Sequence, residues 1–136
     1  MTRVVDCSVA LKWILFEEGR DAALALIGGE PLIAPDFLKL EIANVLAMKA
    51  RRGMITPSGA IAGLREISRL PGLTFRPTPP YIEAAQGLAL ELEQTAYDCL
   101  YLALAVAEGA VLVTADMAFG RAVAARPEYA GYVATL

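Results

Sequence analysis

Short apolar runs alternating with helical stretches predict an α/β fold, with a central parallel sheet of four or five strands sandwiched by helices in three layers. Three observations carry this reading. The chain has 136 residues, a length that suits one compact domain spanning 1–136. Its apolar share is 57% before glycine is counted, above the roughly 45 to 50% of an average soluble domain with glycine included. That surplus supplies a core and leaves apolar surface for a dimer or a partner. The third observation is the order of the segments themselves.

Arg3-Val4-Val5 reads as a strand that runs into Asp6, and Ser8 is placed to cap a helix through Val9 to Phe16. Arg20 to Ile27 is a second helix closed by Gly28-Gly29, and Pro31 to Pro35 is a short strand punctuated by prolines. In the long helix that follows, Leu38, Ile42, Val45 and Met48 recur at helical spacing, and Lys49-Ala50-Arg51-Arg52 puts cations in the last turn before Gly53. Thr56-Pro57 opens a helix with Ile61, Leu64, Ile67 and Leu70 on one face, ended by Pro71-Gly72. Leu73 to Phe75 is a third strand and Ile82 to Leu92 another amphipathic helix. Asp98 to Ala107 is helical, Val111 to Val113 is a strand, Phe119 to Ala125 is helical, and Tyr132-Val133 makes a last short strand.

Composition excludes several chemistries. There is no histidine, which removes Ser-His-Asp triads and imidazole acid–base catalysis. The two cysteines, Cys7 and Cys99, are too few for a disulfide framework or a closed zinc site and read as buried reduced thiols. The most apolar stretch, Cys99 to Ala115, is broken by Glu108-Gly109, so it reads as helix, turn and strand rather than a membrane span. Asp6 and Lys12 fall where the apolar run of a signal peptide would lie, and the expected location is the cytosol.

Carboxylates remain. Asp6 and Asp116 lie at or just past the carboxyl ends of two predicted strands. In open parallel sheets, ligands bind in the crevice beyond such ends where the strand order reverses, and a 3-2-1-4-5 order would bring the two together. Each also reads, taken singly, as a cap or turn residue. Glu41 sits inside the apolar stripe of its helix, where a charge needs a partner, and neither Lys39 nor Lys49 is at a neighbouring helical position. Its partner is therefore a metal, a distant arginine or a proton. Asp98 begins the most apolar helix and shares a face with Leu102 and Ala105; it reads either as a helix N-terminal carboxylate or as a site residue, with Thr95 the better cap by type. Hard oxygen ligands without histidine select Mg²⁺ or Mn²⁺, and such a site suits phosphodiester hydrolysis by a metal-activated water. Ser8 and Thr114 are either hydroxyls that orient the carboxylates or plain cap and turn residues.

On these residues the chain resembles the PIN-domain ribonucleases, and more narrowly the VapC-type toxins of bacterial and archaeal toxin–antitoxin pairs. Val4 to Trp13 is similar to the family's first motif, with Asp6 at the metal-binding aspartate. Pro35 to Leu46 is similar to the second, with Glu41 at its glutamate, Thr95 to Ala103 to the third, and Leu112 to Asp116 to the fourth. The resemblance implies a PIN fold, a selective endoribonuclease whose catalytic metal ligands are Asp6, Glu41, Asp98 and Asp116, a homodimer, and inhibition by a cognate antitoxin whose tail covers the acidic site. One departure bears on a second metal position: Met117 and Ala118 follow Asp116 where some relatives carry another acid. Asp36, ahead of its helix, reads as a cap.

The net charge of -3 runs against phosphate binding. Setting four site acids aside from the 15 leaves 11 against 12 basic residues, so the remaining surface is near neutral. Lys49, Arg51 and Arg52 form the densest basic patch, either an RNA backbone contact or a solvated helix end. A phosphoaspartate receiver or phosphatase is the rival fold-mate, yet Cys7 and Ser8 follow Asp6 where it wants a second acid, and no lysine occurs after Lys49. A non-catalytic interaction module is the other alternative.

Overall fold

The computed structural model describes all 136 residues. Strands β1 (Arg3–Val5), β2 (Leu32–Pro35), β3 (Leu73–Arg76), β4 (Val111–Thr114) and β5 (Val133–Thr135) form one sheet in the order β3-β2-β1-β4-β5. Every pairing is parallel. Helices α1 (Cys7–Ile14), α2 (Arg20–Leu24), α3 (Phe37–Arg51), α4 (Pro57–Ser68), α5 (Ile82–Leu92), α6 (Ala96–Glu108) and α7 (Met117–Ala124) flank it. Short 3₁₀ turns at Pro79–Tyr81 and Ala130–Tyr132 complete the chain.

β1 is central, between β2 and β4, with Val4 and Val5 fully buried. It ends where Asp6 takes an extended backbone and caps α1, its side chain accepting from the Val9 N–H. Ser8, expected to be the cap, lies instead within the first turn of α1, because the aspartate at the strand end reaches the free N–H groups first. The α1–α2 corner is pinned by the Trp13 indole donating to the Ala23 carbonyl at 2.8 Å.

The buried stripe of α3 is Leu38, Ile42 and Leu46, with Val45 and Met48 half-buried at its flank. Thr56 caps α4 and Pro57 stands at its first position, as the sequence predicts. Gly63 lets α4 approach closely, since a methyl group there would meet Ile14 at 3.1 Å and Leu46 at 3.2 Å. Ile61, expected on the inner face of α4, is 55% exposed. Helix α6 is buried continuously from Cys99 to Ala105 and packs across β1, β2 and β4, which explains its lack of a polar face. No helix is long and apolar enough to cross a membrane.

Candidate active site

The strand order places the switch point between β1, which leads to α1, and β4, which leads to α7. Val5 pairs with Val113 in parallel register, so Asp6 and the Thr114-Ala115-Asp116 segment leave the sheet side by side. Their side chains interlock there. Ser8 Oγ donates to Asp6 Oδ1 at 2.6 Å and Thr114 Oγ1 donates to Asp6 Oδ2 at 2.5 Å. Ser8 Oγ in turn accepts from the Ala115 N–H at 2.9 Å, and Thr114 Oγ1 from the Asp116 N–H at 3.1 Å. Both hydroxyls thus read the position of one strand end and pass it to the other. Asp116 caps α7 through the Phe119 N–H at 3.0 Å and is exposed.

Glu41 and Asp98 approach from the helices. Glu41, half-buried on α3, accepts a hydrogen bond at Oε1 from the hydroxyl of Tyr101 on α6. Asp98 lies in the first turn of α6, but the cap is Thr95, whose Oγ1 accepts from the Asp98 N–H at 3.1 Å. The Asp98 carboxylate is left free of the capping task. Asp36, expected to cap α3, makes no capping bond. Its carboxylate accepts from the Thr78 N–H and hydroxyl, and Thr78 Oγ1 accepts from the Phe37 N–H in its place.

Electrostatics ties the four acids together. Burial raises the Asp6 carboxyl above its ordinary value, against hydrogen bonds from Ser8, Thr114 and Val9 that lower it, and the charge of Asp98 adds to the rise. Burial also raises Glu41, opposed by the Tyr101 hydrogen bond and reinforced by Asp98 and Asp6. Asp98 is raised by burial and by Asp116. Every charge that shifts these three is negative, and none of the ion pairs in the molecule involves any of the four acids. Burial, reinforced by the charges of Glu41, Asp6, Asp98 and Glu17, pushes the half-buried Cys7 thiol up to about 12.

No three of the aspartate, glutamate and cysteine side chains stand close enough together to hold a metal ion by themselves. The donor set nevertheless fits a hard divalent cation. It consists of carboxylate oxygens, it is crowded with like charge, and it has no protein cation to answer it.

Lys49, Arg51 and Arg52 are not brought to the crevice. Arg51 lies about 15 Å of helix rise beyond Glu41, at the far end of α3. The residue that the sequence did not single out is Tyr101. Its partner is 60 positions away, and the available signal was a buried tyrosine one helical turn after Asp98, whose hydroxyl needs an acceptor.

A five-stranded parallel sheet with acidic side chains and no paired cation at its switch point defines the chain as a doubly wound α/β protein. The PIN domain family matches residues 3–124. Ribonuclease VapC3 from Pyrobaculum aerophilum is 32% identical over 118 residues, covering 85% of this chain and 90% of that protein. The chain belongs to the PIN-domain family, among its VapC-type members. Solved structures agree in fold. VapBC2 from Rickettsia felis, bound to a DNA fragment from its promoter, superposes with a TM-score of 0.69 at 17% identity, over 99% of this chain and 98% of that one. VapC20 from Mycobacterium tuberculosis, a sarcin-ricin loop cleaving toxin, gives 0.66 at 16% identity, over 88% and 94%.

Proposed function

We propose that the protein is a metal-dependent endoribonuclease, the toxin of a toxin–antitoxin pair. The observation that carries this reading is the set of four carboxylates at the switch-point crevice, none with a cationic partner, in a chain of the VapC type. Asp6, Glu41, Asp98 and Asp116 would hold Mg²⁺ or Mn²⁺. Because no three acids close on one point, one or two would ligate directly and the others through water, the usual manner of Mg²⁺. A bound ion supplies a water of lowered pKa and a charge facing the phosphodiester. Ser8 and Thr114 fix the orientation of Asp6 from both of its oxygens, which leaves the other acids to meet solvent and substrate.

The names of the relatives support the partners. Ribonuclease VapC3 points to RNA as substrate, and the VapBC2 assembly to an antitoxin that binds this chain. Exposed Leu40 and Ile82 flank the stacked Phe37–Tyr97 pair, whose ring centroids are 5.6 Å apart, and this face is our candidate for homodimer contact. Sedimentation at twice the 14.5 kDa chain mass is the expected result.

The purified protein should cut single-stranded or loop RNA with Mg²⁺ or Mn²⁺ and stop in excess EDTA. Asp6→Asn should abolish both cleavage and growth inhibition on expression without a partner. Cleavage that survives EDTA would refute the metal mechanism, and toxicity that survives Asp6→Asn would separate toxicity from this site.

A further inference from the structure

We propose that Tyr101 is a positioning residue that holds Glu41 in its metal-binding orientation, an inference that rests on the metal-dependent reading above. Tyr101 is 2% exposed, so its ring is core. A phenylalanine would fill that space without burying a hydroxyl, and burial of a hydroxyl is unfavourable unless it is hydrogen-bonded. The hydroxyl has one partner, and that partner is a site carboxylate rather than a backbone carbonyl. Glu41 in turn makes no other hydrogen bond and no ion pair, so Tyr101 is the one polar group that holds its side chain. With Oε1 taken by the phenol, Oε2 is the oxygen left for a cation.

Placement on the helix makes the contact specific. Tyr101 follows Asp98 by three positions on α6, the spacing that puts two side chains on one face one turn apart. A single buried helix therefore presents one acid to the crevice and clamps a second acid that arrives from α3. Without the clamp, a glutamate with three side-chain torsions, repelled by Asp6 and Asp98, has every reason to swing toward solvent. Hydrogen-bond partners of metal ligands typically contribute 10- to 100-fold in metal affinity by fixing ligand orientation.

The test is Mn²⁺ binding, followed by calorimetry and by the electron paramagnetic resonance of free Mn²⁺, on wild type, Tyr101→Phe, Tyr101→Leu, Glu41→Gln and the Tyr101→Phe/Glu41→Gln double variant. Tyr101→Phe keeps the ring and should weaken Mn²⁺ binding about tenfold. In the Glu41→Gln background the same change should add nothing, since the group it positions is gone. If Tyr101→Phe binds as wild type does while Tyr101→Leu is weakened, the ring acts by packing and the inference is overturned. An equal further loss in the Glu41→Gln background also overturns it. Should Tyr101→Leu fail to fold, the Phe cycle decides alone. Wild type that takes up no Mn²⁺ brings down the metal reading and this inference together, whereas wild type that binds with an unaffected Tyr101→Phe brings down the inference only.

Discussion

Among serine, threonine, amide and charged residues, Thr114 alone is fully withdrawn from solvent, and its hydroxyl both gives and receives. It donates to Asp6 Oδ2 and accepts from the Asp116 N–H, joining two chain ends that lie 108 positions apart. Valine has nearly the same shape and neither capacity, so Thr114→Val isolates the hydrogen bonds from the packing. A hydrogen bond to a charged group contributes about 1.5 to 3 kcal/mol, and an orphaned buried partner is costly in its own right. We expect Thr114→Val to lose stability of that size in denaturant melts, with Thr114→Ser close to wild type. A Val variant as stable as wild type would mean that water replaces the hydroxyl. The acids of this candidate site stand out in sequence because each lies at a strand end, within an apolar stripe or at the start of the most apolar helix. The hydroxyl of Tyr101 was not, because a buried tyrosine in an apolar helix looks like core until α3 is seen against α6.

At the scale of elements, the site depends on how closely α7 sits on the strand pair β4–β5. Gly120 permits that approach: a methyl group there would stand 2.6 Å from Thr135 Cγ2 and 3.6 Å from Thr114 Cγ2. Alanine in a helix interior gains about 0.8 to 1 kcal/mol over glycine, while forcing an extra carbon into a packed contact costs about 1 to 3 kcal/mol. A separation of 2.6 Å is far inside van der Waals contact and the neighbour is a stiff, branched threonine, so the clash should win. Gly120→Ala is expected to lower the melting temperature, whereas Gly87→Ala on α5, which meets nothing within 4 Å, should raise it. Helices and strands were readable from period and punctuation, and the parallel sheet from their alternation. What sequence could not supply was the competition at element ends. Asp6 takes the cap expected of Ser8, Asp36 yields its cap to Thr78, and α7 begins at Met117 rather than Phe119 because Asp116 caps it. Each is decided by a contact that local pattern does not contain. Ile61 on α4 fits the helical period but falls on the exposed side of the helix.

The whole molecule carries the cost of its crevice as a pH dependence. Asp6, Glu41 and Asp98 are raised above the ordinary 3.8 and 4.5 of their types, so between those values and their folded values the native state keeps protons that the unfolded chain has released. Stability from these groups is therefore full below the ordinary values and is lost as pH rises through the folded ones. Other shifted groups leave the window clear. Glu30 and Glu128 are lowered from 4.5, so any contribution they make is already constant above it, and the unfolded thiols titrate near 9.0. Metal-free protein should thus lose stability as pH rises above the ordinary carboxylate values of 3.8 and 4.5. Mn²⁺ should reverse the trend by neutralising the ionised cluster, with about 2.7 kcal/mol of stabilisation at a hundredfold excess over its dissociation constant. Asp98→Asn tests the same account from the other side. It removes the charge that acts on both Asp6 and Glu41, and it keeps the backbone N–H that Thr95 caps. The metal-free variant should melt no lower than wild type at neutral pH, with a flatter pH profile and a smaller Mn²⁺ shift. If Asp98→Asn instead melts lower and shows the full Mn²⁺ shift, Asp98 serves the helix rather than the metal, and the crevice works with three acids.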